Sequence, residues 1–289
     1  MFEQSFYNCG SMISSVSDFL PFLKTLPKDK YPKYLIIGLD QWMFNHNWDN
    51  LSNKNNDVIN WKELYTTNFT IFSLRNVWKD LLKQKYGINI FRNDYKSAYT
   101  NTIGLNARLN SKGFVKDGSF YYGKQIEYLL TGDNRADDYL FQDTFSRIEQ
   151  GNRRFEKGDN LNEVALQEVD KILTFLKNNN IKVIGFIPPF ADAVYKKMNE
   201  SGQYKYMDTL GMSLKQVFEK HNFELWDMTV LSQYNSNDDE VIDGFHGSEV
   251  TYLRMLIHMV ENGSELKKCV NIDKLHRNLQ TKKNNLLVY

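Results

Sequence analysis

The segment Asp243-Gly244-Phe245-His246 places an aspartate three residues before a histidine, just ahead of a helical pattern in residues 250–257. A tight turn there can bring both side chains to one side, where the carboxylate accepts a hydrogen bond from one ring nitrogen. That bond fixes the tautomer and leaves the other nitrogen free as a general base. The pair therefore predicts His246 as a base and Asp243 as the residue that orients it. Isolated Asp–His pairs also occur in loops without catalytic roles. The choice between a catalytic pair and such a structural pair therefore depends on the surrounding segments.

Three short apolar runs indicate the strands that would position this pair. They cover residues 34–39, 181–187 and 223–227, and each is stopped by Gly, Pro or Asp. Short runs of this composition are typical of buried strands in a parallel sheet. A segment with helical periodicity precedes each run. The alternation predicts an α/β fold with a doubly wound, mainly parallel sheet flanked by helices.

The alternating pattern breaks between residues 45 and 160. A helix is predicted at residues 72–86 and a turn at Lys116-Asp117-Gly118-Ser119, but no second set of strands. We interpret the segment as a long insertion, after the strand that ends near Gly38, into a single domain that covers residues 1–289. Insertions of this kind often form lids or substrate walls.

The carboxyl ends of parallel strands line the ligand crevice in open α/β sheets. Four loops are expected to meet at that edge: Gly10-Ser11, Asp40-Gln41, Pro188-Pro189 and residues 243–246. The sequence contains no GxGxxG, GxxxxGK[ST], HExxH or GxSxG motif, which argues against the common nucleotide-binding, zincin and α/β-hydrolase classes. Chemistry based on an Asp–His pair needs neither a metal nor an organic cofactor.

Composition and charge argue against several other classes. The formal net charge of +1 gives no support for a nucleic-acid partner. The two cysteines and five histidines show no metal-ligand spacing and set no disulfide framework. No window approaches 18 consecutive apolar residues, and no basic segment followed by an apolar core opens the chain. Taken literally, these features predict a cytoplasmic protein without a membrane anchor.

Four segments in this order resemble the SGNH (GDSL-like) esterase and acyltransferase superfamily: residues 33–40, 113–119, 183–190 and 242–249. More narrowly, they resemble the bacterial branch that occurs with membrane-bound O-acyltransferases in the acetylation of cell-surface polysaccharides. The resemblance implies a three-layer, flavodoxin-like fold and a serine nucleophile activated by His246. It also implies an acyl-ester or glycan substrate, a membrane-bound O-acyltransferase as partner, and an extracytoplasmic location in the cell envelope.

The position of the nucleophile depends on how the first residues are aligned with that family. The family carries its serine in a Gly-Asp-Ser or Gly-Ser-Ser turn after the first strand, and the early Gly-Ser here is Gly10-Ser11. In one alignment Ser11 is the nucleophile. In the other, Asn8 to Gly10 form the second family block, Gly10 donates its backbone N–H to the oxyanion, and the nucleophile strand precedes Met1. The distance from Gly10 to Gly38 has room for one helix, which favours the second alignment and an N-terminally truncated chain.

A second departure from the family pattern concerns Asp40. It stands where the third family block, Gly-x-Asn-Asp, has an amide that donates to the oxyanion, and an ionised carboxylate cannot donate. Either Asp40 is protonated, or other groups form the oxyanion hole, or the protein is not a working hydrolase. The leading hypothesis is an SGNH-type O-acyltransferase or esterase acting on a cell-surface glycan. The alternative is an inactive accessory or binding protein that keeps the fold and lacks the nucleophile.

Overall fold

The computed structural model describes residues 2–3, 5–10, 13–48, 67–83, 87 and 112–289. The α-helices in these residues are α1 Val16–Thr25, α2 Thr67–Leu82, α3 Lys124–Thr131, α4 Gln142–Gln150, α5 Glu163–Asn178, α6 Asp192–Ser201, α7 Tyr206–Lys220, α8 Glu249–Glu261 and α9 Ile272–Gln280. The strands are β1 Tyr34–Gly38, β2 Gly113–Phe114, β3 Phe120–Tyr121, β4 Lys182–Ile187, β5 Glu224–Asp227, β6 Val241–Asp243 and β7 His246–Gly247. None of these helices combines the length and apolar character needed to cross a membrane.

The central sheet contains β1, β4 and β5 in that order, and all three strands are parallel. Ile184 of β4 lies opposite Ile36 of β1 on one side and Glu224 of β5 on the other. The strand predictions are therefore confirmed, as is a mixed α/β fold with a parallel sheet flanked by helices. The doubly wound, three-layer SGNH arrangement stays a prediction.

The helices pack through the apolar positions that gave the periodic pattern. In α5 the side chains of Val169, Ile172 and Leu176 are buried, and the helix begins where Asn162 caps two backbone N–H groups. An asparagine at this position satisfies donors that have no partner inside the helix. Helix α5 contacts β4, α1 and α7, which joins the predicted helix–strand units into one core.

Strand β1 pairs with a described strand on one side only, where β4 lies. The described residues between 2 and 10 add no strand to this sheet. In that segment Phe2 forms an isolated bridge with Val270. If Ser11 were the nucleophile, the residues before it would form the family's first strand, inside the sheet. The described residues before Ser11 form no strand of this sheet.

The insertion leaves and re-enters the sheet domain at adjacent points, since Asn45 forms an antiparallel bridge with Leu161. The helix predicted at residues 72–86 is α2, shifted toward the N-terminus, and residues 84–86 lie outside the described residues. The predicted turn at Lys116 to Ser119 connects β2 and β3, which form a two-stranded hairpin. The sequence predicted the turn but not the two strands that flank it. Two-residue strands are too short to give an alternating pattern that a sequence can reveal.

Candidate functional site

The Asp243–His246 pair lies on a tight hairpin formed by β6 and β7. Asp243 Oδ2 is 2.8 Å from His246 Nδ1, while Oδ1 accepts the backbone N–H groups of Phe245 at 3.0 Å and His246 at 2.9 Å. Because an ionised carboxylate only accepts hydrogen bonds, Nδ1 carries the proton in this pair. No described residue hydrogen-bonds to Nε2, and the His246 side chain is 38% exposed. The open ring nitrogen can therefore exchange a proton with a bound molecule.

Three of the four loops expected at the carboxyl edge of the sheet do meet there. Gln41 Nε2, in the loop after β1, donates to the Pro188 carbonyl oxygen in the loop after β4 at 2.6 Å. The Ala191 N–H in that second loop donates to the Gly244 carbonyl oxygen at 3.0 Å. These bonds place the Asp243–His246 hairpin beside the ends of β1 and β4.

The fourth loop is only partly described. Ser11, the candidate nucleophile, lies outside the described residues. Gly10 is exposed, and its backbone N–H donates to Asn8 Oδ1 at 2.8 Å. This N–H is therefore already used within its own loop, and no described contact joins Gly10 to His246.

Asp138, a residue of the insertion, anchors the turn between Asp243 and His246. It is 7% exposed, and its Oδ2 accepts the Gly244 N–H at 3.1 Å and the Thr144 hydroxyl at 2.6 Å. The turn also has no room for a side chain at Gly244, because a Cβ there would lie 2.6 Å from Thr144 Cγ2. Asp138, Thr144 and Gly244 thus fix the backbone that carries the pair.

Asp40 and Arg154 complete the charged groups around His246. Burial raises the pKa of Asp40 from 3.8 to about 6, although the charges of His246 and Arg154 oppose this shift. Near neutral pH the carboxyl of Asp40 is therefore mostly ionised and accepts hydrogen bonds without donating them. Of the three explanations for Asp40, protonation applies only below about pH 6.

The pKa of His246 lies above its ordinary value of 6.5. Burial alone would lower it, and the charge of Arg154 acts in the same direction. The hydrogen bond and charge of Asp243, together with the charge of Asp40, outweigh both effects. His246 is therefore a stronger base than a free imidazole.

Tyr252 of α8 supplies a hydroxyl that keeps its proton. Desolvation of this hydroxyl and the negative charges of Asp40 and Asp243 raise its pKa above the ordinary value of 10. A phenol that stays protonated remains a hydrogen-bond donor. The hydroxyl can therefore act as a donor close to Asp40 and Asp243.

Aromatic rings form the wall behind His246. The Phe245 ring lies 4.3 Å from the His246 ring and contacts Trp42 edge-on, with ring centroids 5.8 Å apart. Phe155, another insertion residue, packs on Phe245 at the same centroid distance. The guanidinium of Arg154 lies over Trp42, 5.0 Å from the ring centroid.

Two further histidines pair with carboxylates in the described residues, and their positions distinguish them from His246. His221 is buried at the amino end of β5, where its Nε2 lies 2.7 Å from Asp170. His276 pairs with Glu261 on the exposed surface of α8 and α9. Only His246, among these three, lies at the carboxyl edge of the sheet, where open α/β proteins bind ligands.

A cavity of about 190 Å³ opens at the carboxyl ends of β4 and β5. Polar side chains line much of it, among them Gln41, Asp227, Thr229 and Gln233. Neither His246 nor Asp40 lines the cavity. It is therefore distinct from the groups around His246.

The described residues hold no cluster of three or more His, Cys, Asp or Glu side chains that could bind a metal ion. Both cysteines, Cys9 and Cys269, are free thiols. Sequence reasoning found Asp243, His246 and Asp40 but missed Asp138, Arg154 and Tyr252. Nothing in their local sequence marks these three, because their positions depend on the path of the insertion and the packing of α8.

Comparison with known proteins gives one family. Residues 20–262 match the family model described as "Protein of unknown function (DUF1574)". No curated protein and no solved structure matches the chain. Since the matched residues cover most of the sequence, the chain belongs to the DUF1574 family.

Proposed function

We propose that this protein is an SGNH-type O-acyltransferase or esterase that acts on an acyl ester of a cell-surface glycan. The observation that carries the proposal is the Asp243–His246 hydrogen bond, with the open Nε2 of His246 at the carboxyl edge of the sheet. The resemblance to SGNH enzymes supplies the reaction class and the glycan. In the same proposal the protein works in the cell envelope beside a membrane-bound O-acyltransferase that supplies the acyl group.

In the proposed mechanism His246 moves one proton in each half of the reaction. Its Nε2 takes the proton of the attacking hydroxyl, and Asp243 stabilises the imidazolium that forms. The imidazolium then gives its proton to the leaving alkoxide. Tyr252 donates a hydrogen bond to the negative carbonyl oxygen, a role that ionised Asp40 cannot fill.

An inactive accessory protein is the second candidate. Two observations favour it: Asp40, which aligns with the amide donor of the resembled family, is mostly ionised near neutral pH, and the Gly10 N–H is engaged by Asn8. In that case the pair binds a ligand without turning it over. The absence of any acetyl-ester hydrolysis or acetyl transfer by the purified protein would favour this candidate.

The proposed reaction gives a defined pH dependence. His246 acts as a base only when neutral, and its pKa lies above 6.5, so kcat/KM rises with pH through a midpoint above 6.5. Asp243→Asn removes the hydrogen bond and the charge of Asp243, which raise this pKa together with the charge of Asp40, and the midpoint then falls below that of the wild type. Initial rates on an acetyl ester between about pH 5 and 8 measure both midpoints. A flat wild-type profile over this range would contradict His246 as the base.

The nucleophile is tested with Ser11→Ala. If Ser11 is the nucleophile, the variant loses acetyl-ester hydrolysis by about 10³-fold or more. If another serine is the nucleophile, Ser11→Ala stays within a few-fold of the wild type. The neighbouring Ser14→Ala serves as control, because Ser14 Oγ already donates to Asp18. Acetylation of Ser11 itself, found by peptide mapping of a quenched reaction, would identify Ser11 as the nucleophile.

A further inference from the structure

Three arginines of the insertion lie close together, and two of them share one carboxylate. Arg147 and Arg153 both pair with Asp143, the latter at 2.8 Å. Arg154 makes no ion pair with any described residue. Its guanidinium is therefore open to a bound molecule, although its charge also acts on Asp40, while the charge of Arg153 is already compensated by Asp143.

The backbone and one aromatic contact hold Arg154 toward His246. Its φ of +80° is in the left-handed region, which side chains other than glycine rarely adopt. Such conformations persist where the surrounding structure fixes them, and they occur preferentially at functional sites. The guanidinium lies 5.0 Å from the Trp42 ring centroid, and Trp42 contacts Phe245, which in turn contacts His246. The cation is thus fixed on the same aromatic wall as the base.

We propose that Arg154 binds an anionic group of the substrate, a carboxylate or a phosphate, beside the ester on which His246 acts. This inference rests on the proposed function and adds the substrate class: an acyl ester of an anionic glycan. A guanidinium presents a planar pair of N–H donors that matches both groups, whereas a neutral sugar offers it no charge to compensate.

The charge of Arg154 also acts on both titratable groups beside it. The charge of Arg154 lowers the pKa of His246 and also that of Asp40. An anion bound to Arg154 would offset this charge and make His246 a stronger base once the correct substrate is present. With a neutral substrate, the charge of Arg154 would still lower the pKa of His246.

The kinetic test uses three acetyl esters that differ at one position of the sugar. They are an acetylated methyl glucoside, the corresponding glucuronoside with a carboxylate, and the corresponding glucoside 6-phosphate. Arg154→Gln removes the charge, and Arg153→Gln is the matched control because Arg153 is also left-handed, with φ +51°, and is paired with Asp143. Thermal unfolding of both variants checks that they fold.

We expect Arg154→Gln to lower kcat/KM roughly 10- to 100-fold on one or both charged esters and less than about threefold on the neutral ester. The charged ester on which Arg154→Gln loses more kcat/KM shows whether Arg154 binds a carboxylate or a phosphate. Arg153→Gln should leave all three rates within about threefold. Equal losses on the charged and neutral esters in Arg154→Gln, or no loss on either charged ester, would overturn the proposal.

A binding measurement separates this proposal from the proposed function. Inorganic phosphate is titrated into the protein while the ring resonances of His246 are followed by NMR as a function of pH. Phosphate should raise the pKa of His246 in the wild type and in Arg153→Gln, but not in Arg154→Gln. If no ester is turned over, the proposed function fails and this titration alone decides the anion site. An equal effect of phosphate in all three proteins would refute it.

Discussion

Asp243→Asn is expected to lower kcat/KM for ester hydrolysis by about 10²- to 10⁴-fold without unfolding the hairpin. The asparagine keeps Oδ1, which accepts the N–H groups of Phe245 and His246, so the turn retains its two backbone bonds. It places an amide N–H₂ where Oδ2 accepts from His246 Nδ1. Nδ1 must then accept a hydrogen bond, and the proton moves to Nε2. The base nitrogen is blocked, and the imidazolium also loses its counter-charge.

The control for this variant is Asp170→Asn, since Asp170 forms the same kind of hydrogen bond with His221 at 2.7 Å. His221 is buried at the amino end of β5 and has no role in the proposed reaction. Steady-state rates of both variants, with circular dichroism as a check on folding, give the comparison. A loss in Asp170→Asn as large as that in Asp243→Asn would mean that both changes act through stability.

Glu240→Gln is expected to destabilise the fold by about 3 kcal/mol or more near neutral pH. The Glu240 side chain is 3% exposed and forms ion pairs with Arg254 at 2.7 Å and Lys282 at 2.9 Å. A neutral glutamine leaves these two cations, both less than one quarter exposed, without a counter-charge. Glu240 directly precedes β6, so the ion pairs also fix the start of the hairpin that carries the site. Urea unfolding measures the change in free energy.

The Glu240 carboxyl also makes the stability of the fold depend on pH. Burial raises the pKa of Glu240, but hydrogen bonds from Arg254, Lys282 and Ser236 outweigh this effect and hold the pKa below 4.5. A carboxyl with a depressed pKa contributes its stability above its unfolded-state value, and the contribution is lost as the pH falls through the folded-state pKa. The difference between wild type and Glu240→Gln should therefore shrink below about pH 4.5. Glu265→Gln, on an exposed pair, is the control that should change stability little. A constant difference between the two proteins down to low pH would contradict this assignment.

The sheet and the Asp243–His246 pair could be predicted because their signals are local. Strands β1, β4 and β5 are short apolar runs stopped by Gly, Pro or Asp, and an Asp–His spacing of three residues suits one tight turn. Asp138 could not be found in this way, because it is separated by 106 residues from Gly244, to which it binds. Arg154 and Tyr252 likewise act through the path of the insertion and the packing of α8. No local pattern encodes either arrangement.

The roles of Asp40 and Gly10 illustrate a second limit of sequence reasoning. The resemblance assigned both residues to the oxyanion site from their order along the chain. Whether a group can donate a hydrogen bond to the oxyanion depends on its protonation and on its other hydrogen bonds. Both are set by the tertiary structure. The pKa of about 6 for Asp40 and the bond from the Gly10 N–H to Asn8 appear only in the folded structure.

The most direct measurement is acetyl-ester hydrolysis by the purified wild type, by His246→Gln and by the matched variant His221→Gln. We expect turnover by the wild type, a loss of at least about 10²-fold in His246→Gln, and unchanged turnover in His221→Gln. The loss should appear in kcat, because the base acts in the transition state. Wild-type activity that survives in His246→Gln, or its complete absence from the wild type, would contradict the assignment of this hairpin as an acyl-transfer centre.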